Sequence, residues 1–328
     1  MEFISLLIIL LAITLDAMLG EPRRWHPLVG FGAIASFFER VLNRSARATT
    51  IEDKKSASQN PAINNRRFAR RCLGVIGWLL LVVPLPLMIV LLQSKLSIYS
   101  NIALSLVCLY FCLGWTSLRQ HAQAVSTAFE SSGIDAAREQ VGRIVSRDAD
   151  SMDEPAVARA TIESVLENGS DAVFAPLFWF VLLGPAAAVA YRLANTLDAM
   201  WGYRTERFNH FGWASAKADD VLNYFPARLT ALSYALLGNP LRALRCWCHQ
   251  ASACASPNGG PVMCSGAGSL NILLGGGAHY HGEWQPRAVM GEGASAAVVD
   301  IVRSVSLINR TLFLWVLVLA LLSGAGWL

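Results

Sequence analysis

The sequence predicts an all-α fold: a polytopic helical membrane protein carrying membrane-adjacent polar helices. Three observations point there. Apolar residues fill 54% of the 328 positions and charged residues only 15%, against about 25% in an ordinary soluble domain. The apolar residues come in runs: Phe3–Leu19, Cys72–Leu92, Ile98–Trp115, Val173–Leu193 and Leu307–Leu328 each approach or reach the roughly 20 residues that cross a bilayer core. Strand-like alternation is nearly absent. The chain therefore reads as one integral membrane domain, 1–328, with the lipid bilayer as its first partner.

Phe3–Leu19 reads as a retained first span rather than a signal peptide. No basic stretch precedes it, and Asp16 with Gly20-Glu21-Pro22 is not a small-residue cleavage site. Residues 21–71 then carry eleven Lys/Arg against four acids, so the positive-inside rule places this segment in the cytoplasm. A nucleic-acid partner is excluded, because no aromatic pattern interleaves the basic residues. Within the segment, 43–65 reads as a flexible cytoplasmic loop, rich in Ser, Asn and Lys. Two spans follow as a hairpin, and Pro84 and Pro86 should kink the first. His121–Asp150 predicts one or two polar helices with a break at Ser131-Ser132-Gly133. Ala227–Leu237 is too short to span on its own.

The polar motif-bearing core covers 116–228. At its centre Asp153 should cap a helix with Pro155 in the first turn. Along that helix Arg159, Glu163, Glu167 and Ser170/Asp171 recur on one stripe. The stripe reads either as a solvated face with an Arg159–Glu163 pair, or as oxygen ligands for Mg²⁺ from Glu163, Glu167 and Asp171. Arg192, Asn195 and Asp198 follow an apolar run directly, and charge at membrane depth usually pairs or lines a cavity. Asp219-Asp220 with Asn223 is similar, since adjacent acids repel unless a cation compensates. Arg204, Arg207, Lys217 and Arg228 are nearby candidates for that compensation. His26-Pro27 offers one acid–base group beside the more common packed histidine. His279-Tyr280-His281 has a spacing that suits a strand or loop.

Ser256-Pro257-Asn258 opens a glycine-rich motif loop, 256–282, whose backbone could either approach phosphates or serve tight turns and close helix packing. No GxxxxGK[ST] or GxGxxG motif occurs. The seven cysteines show no metal or disulfide spacing. By residue chemistry alone, these signals describe a membrane-embedded site for an anionic ligand with a metal ion.

Ordered strings now resemble one family. Leu15-Asp16…Gly20-Glu21-Pro22…His26-Pro27 is similar to the opening of the CbiB/CobD family of cobalamin-biosynthesis proteins. So are Arg147-Asp148…Asp153-Glu154, Ala160-Thr161-Ile162-Glu163-Ser164…Glu167-Asn168…Asp171 and Ala175-Pro176-Leu177-Phe178-Trp179. The match continues through Tyr191-Arg192…Asn195-Thr196-Leu197-Asp198-Ala199-Met200…Gly202-Tyr203-Arg204, Phe211-Gly212-Trp213-Ala214, Asp219-Asp220…Asn223…Pro226-Ala227-Arg228-Leu229 and Ser256-Pro257-Asn258. Ala149 and Gly259 depart from the usual pattern without removing a charge.

The resemblance implies a multi-pass bacterial inner-membrane enzyme, adenosylcobinamide-phosphate synthase, with its active site facing the cytoplasm. Such an enzyme joins adenosylcobyric acid to (R)-1-amino-2-propanol or its O-phosphate, using ATP as co-substrate and Mg²⁺ as cofactor. It also implies candidate roles. Glu163, Glu167, Asp198, Asp219 and Asp220 would include the metal ligands. Arg147, Arg192, Asn195, Arg204, Arg228, Ser256 and Asn258 would hold substrate or phosphate. His26, Glu163, Glu167, Asp171 and Lys217 are the catalytic candidates, with His26 or one carboxylate taking the amine proton. Self-association and assembly with downstream cobalamin enzymes both stay open. The rival reading is a non-enzymatic membrane sensor or regulatory protein of the same superfamily. Placing Asp171 and Asp198 on one side of the membrane further requires that Val173–Leu193 be broken or re-entrant, as Pro176, Gly184 and Pro185 suggest.

Overall fold

The computed structural model describes residues 2–22, 26–44, 61–280 and 282–325, and helices dominate them. Most of the expected loop (45–60), Arg23, Arg24 and His281 lie outside the described residues. The chain, read from sequence as one domain, packs as two compact units built from discontinuous stretches.

The first unit comprises residues 1–21, 113–178 and 223–328. It contains α1 (Glu2–Leu19), α6 (Trp115–Ser132), α7 (Ile134–Val141), α8 (Glu154–Gly169), α12 (Tyr224–Leu237), α13 (Pro240–Gln250), α14 (Gly259–Leu270) and α15 (Val298–Gly324). The break expected at Ser131-Ser132-Gly133 is present, with Gly133 at φ 82° between α6 and α7. Asp153 caps α8 as expected, its Oδ1 accepting from Ala156 N at 2.8 Å.

Helix α14 is buried along almost its whole length. A Cβ on Gly266 would stand 2.7 Å from the Leu166 side chain, and one on Gly268 would stand 2.8 Å from Ala243 Cα. Much of the glycine in 256–282 thus serves close helix packing. Tyr234 Oη donates to Leu166 O at 3.1 Å and Ser265 Oγ to Ala231 O at 2.6 Å, which satisfies polar atoms inside this small-residue interface.

Five short strands follow α14, where the sequence shows almost no strand pattern. β1 (Ile272–Gly275) pairs antiparallel with β4 (Val289–Gly291) and parallel with β5 (Ala294–Ser295), while β2 (Ala278–Tyr280) and β3 (Glu283–Gln285) form a hairpin. At two to four residues each, they are too short to display the period-2 alternation that marks a strand.

The second unit comprises residues 22–112 and 179–222. It holds α2 (Pro27–Leu42), α3 (Pro61–Val82), α4 (Pro84–Gln93), α5 (Ile98–Cys112), α10 (Pro185–Trp201) and α11 (Trp213–Leu222). The kink expected at Pro84 separates α3 from α4. Trp201 and Phe211 are buried against each other at 4.9 Å between ring centroids. Gly74 of α3 meets the Phe211 carbonyl so closely that a Cβ there would overlap it. Gly74→Ala is therefore expected to destabilise by about 1–3 kcal/mol. Gly30→Ala, with nothing within 4 Å of its added carbon, should cost nothing measurable. Thermal unfolding of the two purified variants checks this contrast.

Among the described residues, four helical stretches are long and apolar enough to cross a membrane: Asn64–Gln93, Ile98–Ser132, Glu154–Leu183 and Val298–Gly324, beside the shorter apolar helix Phe3–Leu19. The break expected within Val173–Leu193 is present. Helix α9 (Ala175–Leu183) ends there, Gly184 turns at φ 81°, and Pro185 opens α10. Proline lacks the N–H to continue the helix and disfavours the α region for the residue before it. The long apolar element instead begins at Glu154 and includes Glu163, Glu167 and Asp171.

Candidate functional site

In the first unit the expected carboxylate stripe is only partly a solvated face. Glu163 is 2% exposed. Its Oε2 accepts from Arg147 at 2.5 Å and from Arg287 at 2.9 Å, and its Oε1 accepts from Gly275 N at 2.8 Å. The expected Arg159–Glu163 pair is not made; the partners come from outside the helix. A buried charge needs this kind of compensation, since an unpaired one is strongly unfavourable. Arg287 was not legible as a site residue. Burial, the largest single influence, pulls its pKa down, but the charge and hydrogen bond of Glu163 together with Tyr280 and Glu167 outweigh it and hold it above the usual arginine value.

One turn on, Glu167 is half-buried and lies against the start of α14: a Cβ on Gly259 would come within 2.6 Å of its Oε1. A helix N-terminus favours a carboxylate at that position. The same end of α14 is built by Ser256-Pro257-Asn258. Ser256 Oγ accepts from Asn258 N at 3.3 Å and Gly259 N at 2.9 Å. Arg228 then grips the turn, donating from Nη1 to Asn258 Oδ1 at 2.8 Å and from Nη2 to Pro257 O at 3.2 Å. Its guanidinium stacks 3.6 Å over the Tyr224 ring. Asp171 falls in a π-helical turn, Ser170–Phe174, between α8 and α9. Such π-bulges recur at functional sites. The unit thus brings Arg147, Glu163 and Arg287 into one cluster, and Glu167, Arg228, Ser256 and Asn258 to the start of α14.

The first unit holds a further buried polar feature near its N-terminal helix. Asp16 is 1% exposed, and its Oδ2 accepts from Thr116 N at 2.8 Å, capping the start of α6.

In the second unit, Arg192 Nη1 donates to Asn195 Oδ1 at 3.4 Å, and Asn195 Nδ2 to Asp219 Oδ1 at 3.1 Å. This links α10 to α11 through the neutral Asn195 amide. The Asp198 carboxylate lies against Gly202, whose backbone N donates to Asp198 O at 2.7 Å. Lys217 and Asp220 form an i,i+3 pair at 2.9 Å with the lysine largely exposed, an arrangement that contributes little to stability. Arg204 is exposed in the loop between α10 and α11 and makes no ion pair or hydrogen bond among the described residues. His26 is buried and caps α2, its Nδ1 accepting from Leu28 N at 3.2 Å, with its ring edge-on to Phe111. Arg207, only a nearby candidate from sequence, instead donates bidentately to buried Glu39, and that hydrogen bond holds its pKa above the usual value.

Among the described residues, no group of three or more His, Cys, Asp or Glu is placed to hold a metal ion. Mg²⁺ needs no such cage. It commonly enters on a nucleotide and takes one or two protein carboxylates. The oxygen donors Asp198, Asp219 and Asp220 fit that chemistry better than Glu163, whose oxygens are already held by two arginines and a backbone N–H.

Comparison with known proteins gives these residues a context. A family model described as CobD/Cbib protein matches residues 9–308. A cobalamin biosynthesis protein CobD from Chromobacterium violaceum is 49% identical, covering 98% of each chain. One from Stutzerimonas stutzeri is 47% identical over 97% of this chain and 96% of its own. Another from Mycobacterium tuberculosis is 34% identical over 91% and 90%. No solved structure matches. The chain belongs to the CobD/CbiB family of cobalamin-biosynthesis proteins.

Proposed function

We propose that the chain is an amide-forming ligase. It joins the free carboxylate of adenosylcobyric acid to the amine of (R)-1-amino-2-propanol or its O-phosphate, with ATP, giving adenosylcobinamide or its phosphate. The observation that carries the chemistry is the Arg147–Glu163–Arg287 cluster. A buried glutamate holds two guanidiniums fixed, and each guanidinium has N–H donors beyond those spent on Glu163. Preorganised donors of this kind stabilise charge on a transferring phosphoryl group.

A carboxylate does not acylate an amine until it is activated. The substrate carboxylate oxygen attacks the terminal phosphorus of ATP, ADP leaves with the bonding pair, and an acyl phosphate remains. The amine nitrogen then attacks the acyl carbon, phosphate departs, and the ammonium proton passes to a protein base. We assign that base to Glu167, a half-buried carboxylate of the first unit beside the start of α14. His26 suits the role less well, since an Nδ1 that accepts from Leu28 N leaves the proton of the neutral ring on Nε2.

Glu163 acts by positioning Arg147 and Arg287, and Arg228 by positioning Ser256 and Asn258. Arg192, Asn195 and Arg204 contact substrate phosphate. One or two of Asp198, Asp219 and Asp220 would hold Mg²⁺, which when bound neutralises phosphate oxygens. The reaction takes place on the cytoplasmic side of the inner membrane, where ATP is supplied.

Purified membranes given adenosylcobyric acid, ATP and either amine should yield the corresponding amide. Absence of product with both amines would contradict the reading. With activity in hand, Asp219→Asn should raise the Mg²⁺ concentration needed for half-maximal rate by about tenfold. An unchanged Mg²⁺ requirement would remove Asp219 from the metal site.

A further inference from the structure

A cavity of about 220 Å³ in the first unit is not used by the residues assigned above, Arg147 excepted. One wall is the segment before α8 together with its first turns; the other is the glycine-rich β2–β3 hairpin. Asp148 stitches the walls together: its N donates to His279 O at 2.9 Å and its Oδ2 accepts from Gly282 N at 2.7 Å.

The charges lining this cavity are unequally satisfied. Asp148 and Asp153 are engaged by backbone N–H groups, and Arg147 is engaged by Glu163. Arg159 is half-buried on α8 and has no hydrogen bond or ion pair among the described residues. A partly desolvated guanidinium without a counter-ion is a site for an anion, and its planar fork matches phosphate or carboxylate oxygens.

The rim adds an aromatic surface. Trp284 is 60% exposed, yet it is held from beneath. A Cβ on Gly277 would overlap its indole, so only glycine admits the ring there, and His279 packs edge-on at 5.0 Å. An exposed but anchored indole is ready to stack a planar ring. The cavity is smaller than the roughly 300–1,000 Å³ of complete ligand sites, so it encloses only part of its ligand.

We infer that this cavity takes the phosphate end of a nucleotide on Arg159, with the base stacked on Trp284 at the rim. The inference deepens the ligase reading and rests on it only for the use of the nucleotide in the reaction.

The test is equilibrium binding to the full-length, detergent-purified protein, without corrinoid or amine. The probes are a non-hydrolysable ATP analogue, inorganic triphosphate and an aminoalkyl phosphate. Arg159→Gln should weaken the ATP analogue and inorganic triphosphate by at least about tenfold. Trp284→Ala should weaken the ATP analogue by a similar factor and leave inorganic triphosphate unchanged. Trp284→Phe should restore most of the loss, which separates stacking from misfolding.

Unchanged nucleotide affinity in Arg159→Gln would overturn the inference. So would wild-type protein that binds only the aminoalkyl phosphate. Arg159-dependent nucleotide binding by a protein that forms no amide would uphold this site and remove the ligase reading instead.

Discussion

Glu163→Gln is expected to reduce activity to about one hundredth or less, the scale seen when a preorganised electrostatic group is lost. It is also expected to destabilise the fold by about 3–5 kcal/mol, the cost of breaking a buried ion pair from one side. The Glu163 side chain is 3% exposed, with Arg147 at 12% and Arg287 at 24%. Glutamine keeps the shape and can still accept from Gly275 N. It leaves two guanidiniums facing each other with no anion between them. The contrast is Glu139→Gln, which removes an exposed i,i+4 partner of Arg143 and should change stability by less than about 1 kcal/mol. Thermal unfolding and steady-state rates of both variants measure the difference. Equal behaviour of the two would mean that Glu163 is not the keystone of the cluster.

Arg228 should show the second large effect, with a different signature. Its donors reach Tyr224 O, Asn258 Oδ1 and Pro257 O, and its plane rests on the Tyr224 ring. Lysine keeps the charge but cannot bridge three acceptors or stack in the same way. Arg228→Ala and Arg228→Lys are both expected to lose about a hundredfold in kcat, because small displacements of positioning groups are that costly. Their unfolding temperatures should change little, since Arg228 lies outside the hydrophobic core. If lysine restores activity, Arg228 acts as a point charge and does not position the Ser256-Pro257-Asn258 turn.

Local features of this chain were legible from sequence because their causes are local. Asp153 with Pro155, the Pro84 kink and the Ser131-Ser132-Gly133 break each depend on a few neighbouring residues. Their positions in the structure follow directly. The Glu163–Arg287 pair spans 124 residues and leaves no periodic trace. What sequence did carry was half of the signal: a glutamate on a helix that turns out to be buried must find a cation somewhere.

The strands after α14 escaped because each is shorter than a readable alternation. The break in Val173–Leu193 was legible because Gly184 and Pro185 act locally on the backbone, whereas hydropathy, which scores composition, counts the run as continuous. His26 follows the more common reading of such a residue, packed and hydrogen-bonded, and its role as the N-cap before Pro27 is as local as that of Asp153.

The central claim is that this chain activates a carboxylate by phosphoryl transfer before the amine attacks. The most direct test labels the reacting carboxylate of adenosylcobyric acid with heavy oxygen and follows the label through one turnover with ATP and amine. An acyl phosphate transfers one carboxylate oxygen to phosphorus, so inorganic phosphate should carry a single heavy oxygen for each amide formed. Unlabelled phosphate, with the heavy oxygen found in AMP or kept wholly in the corrinoid, would contradict the account.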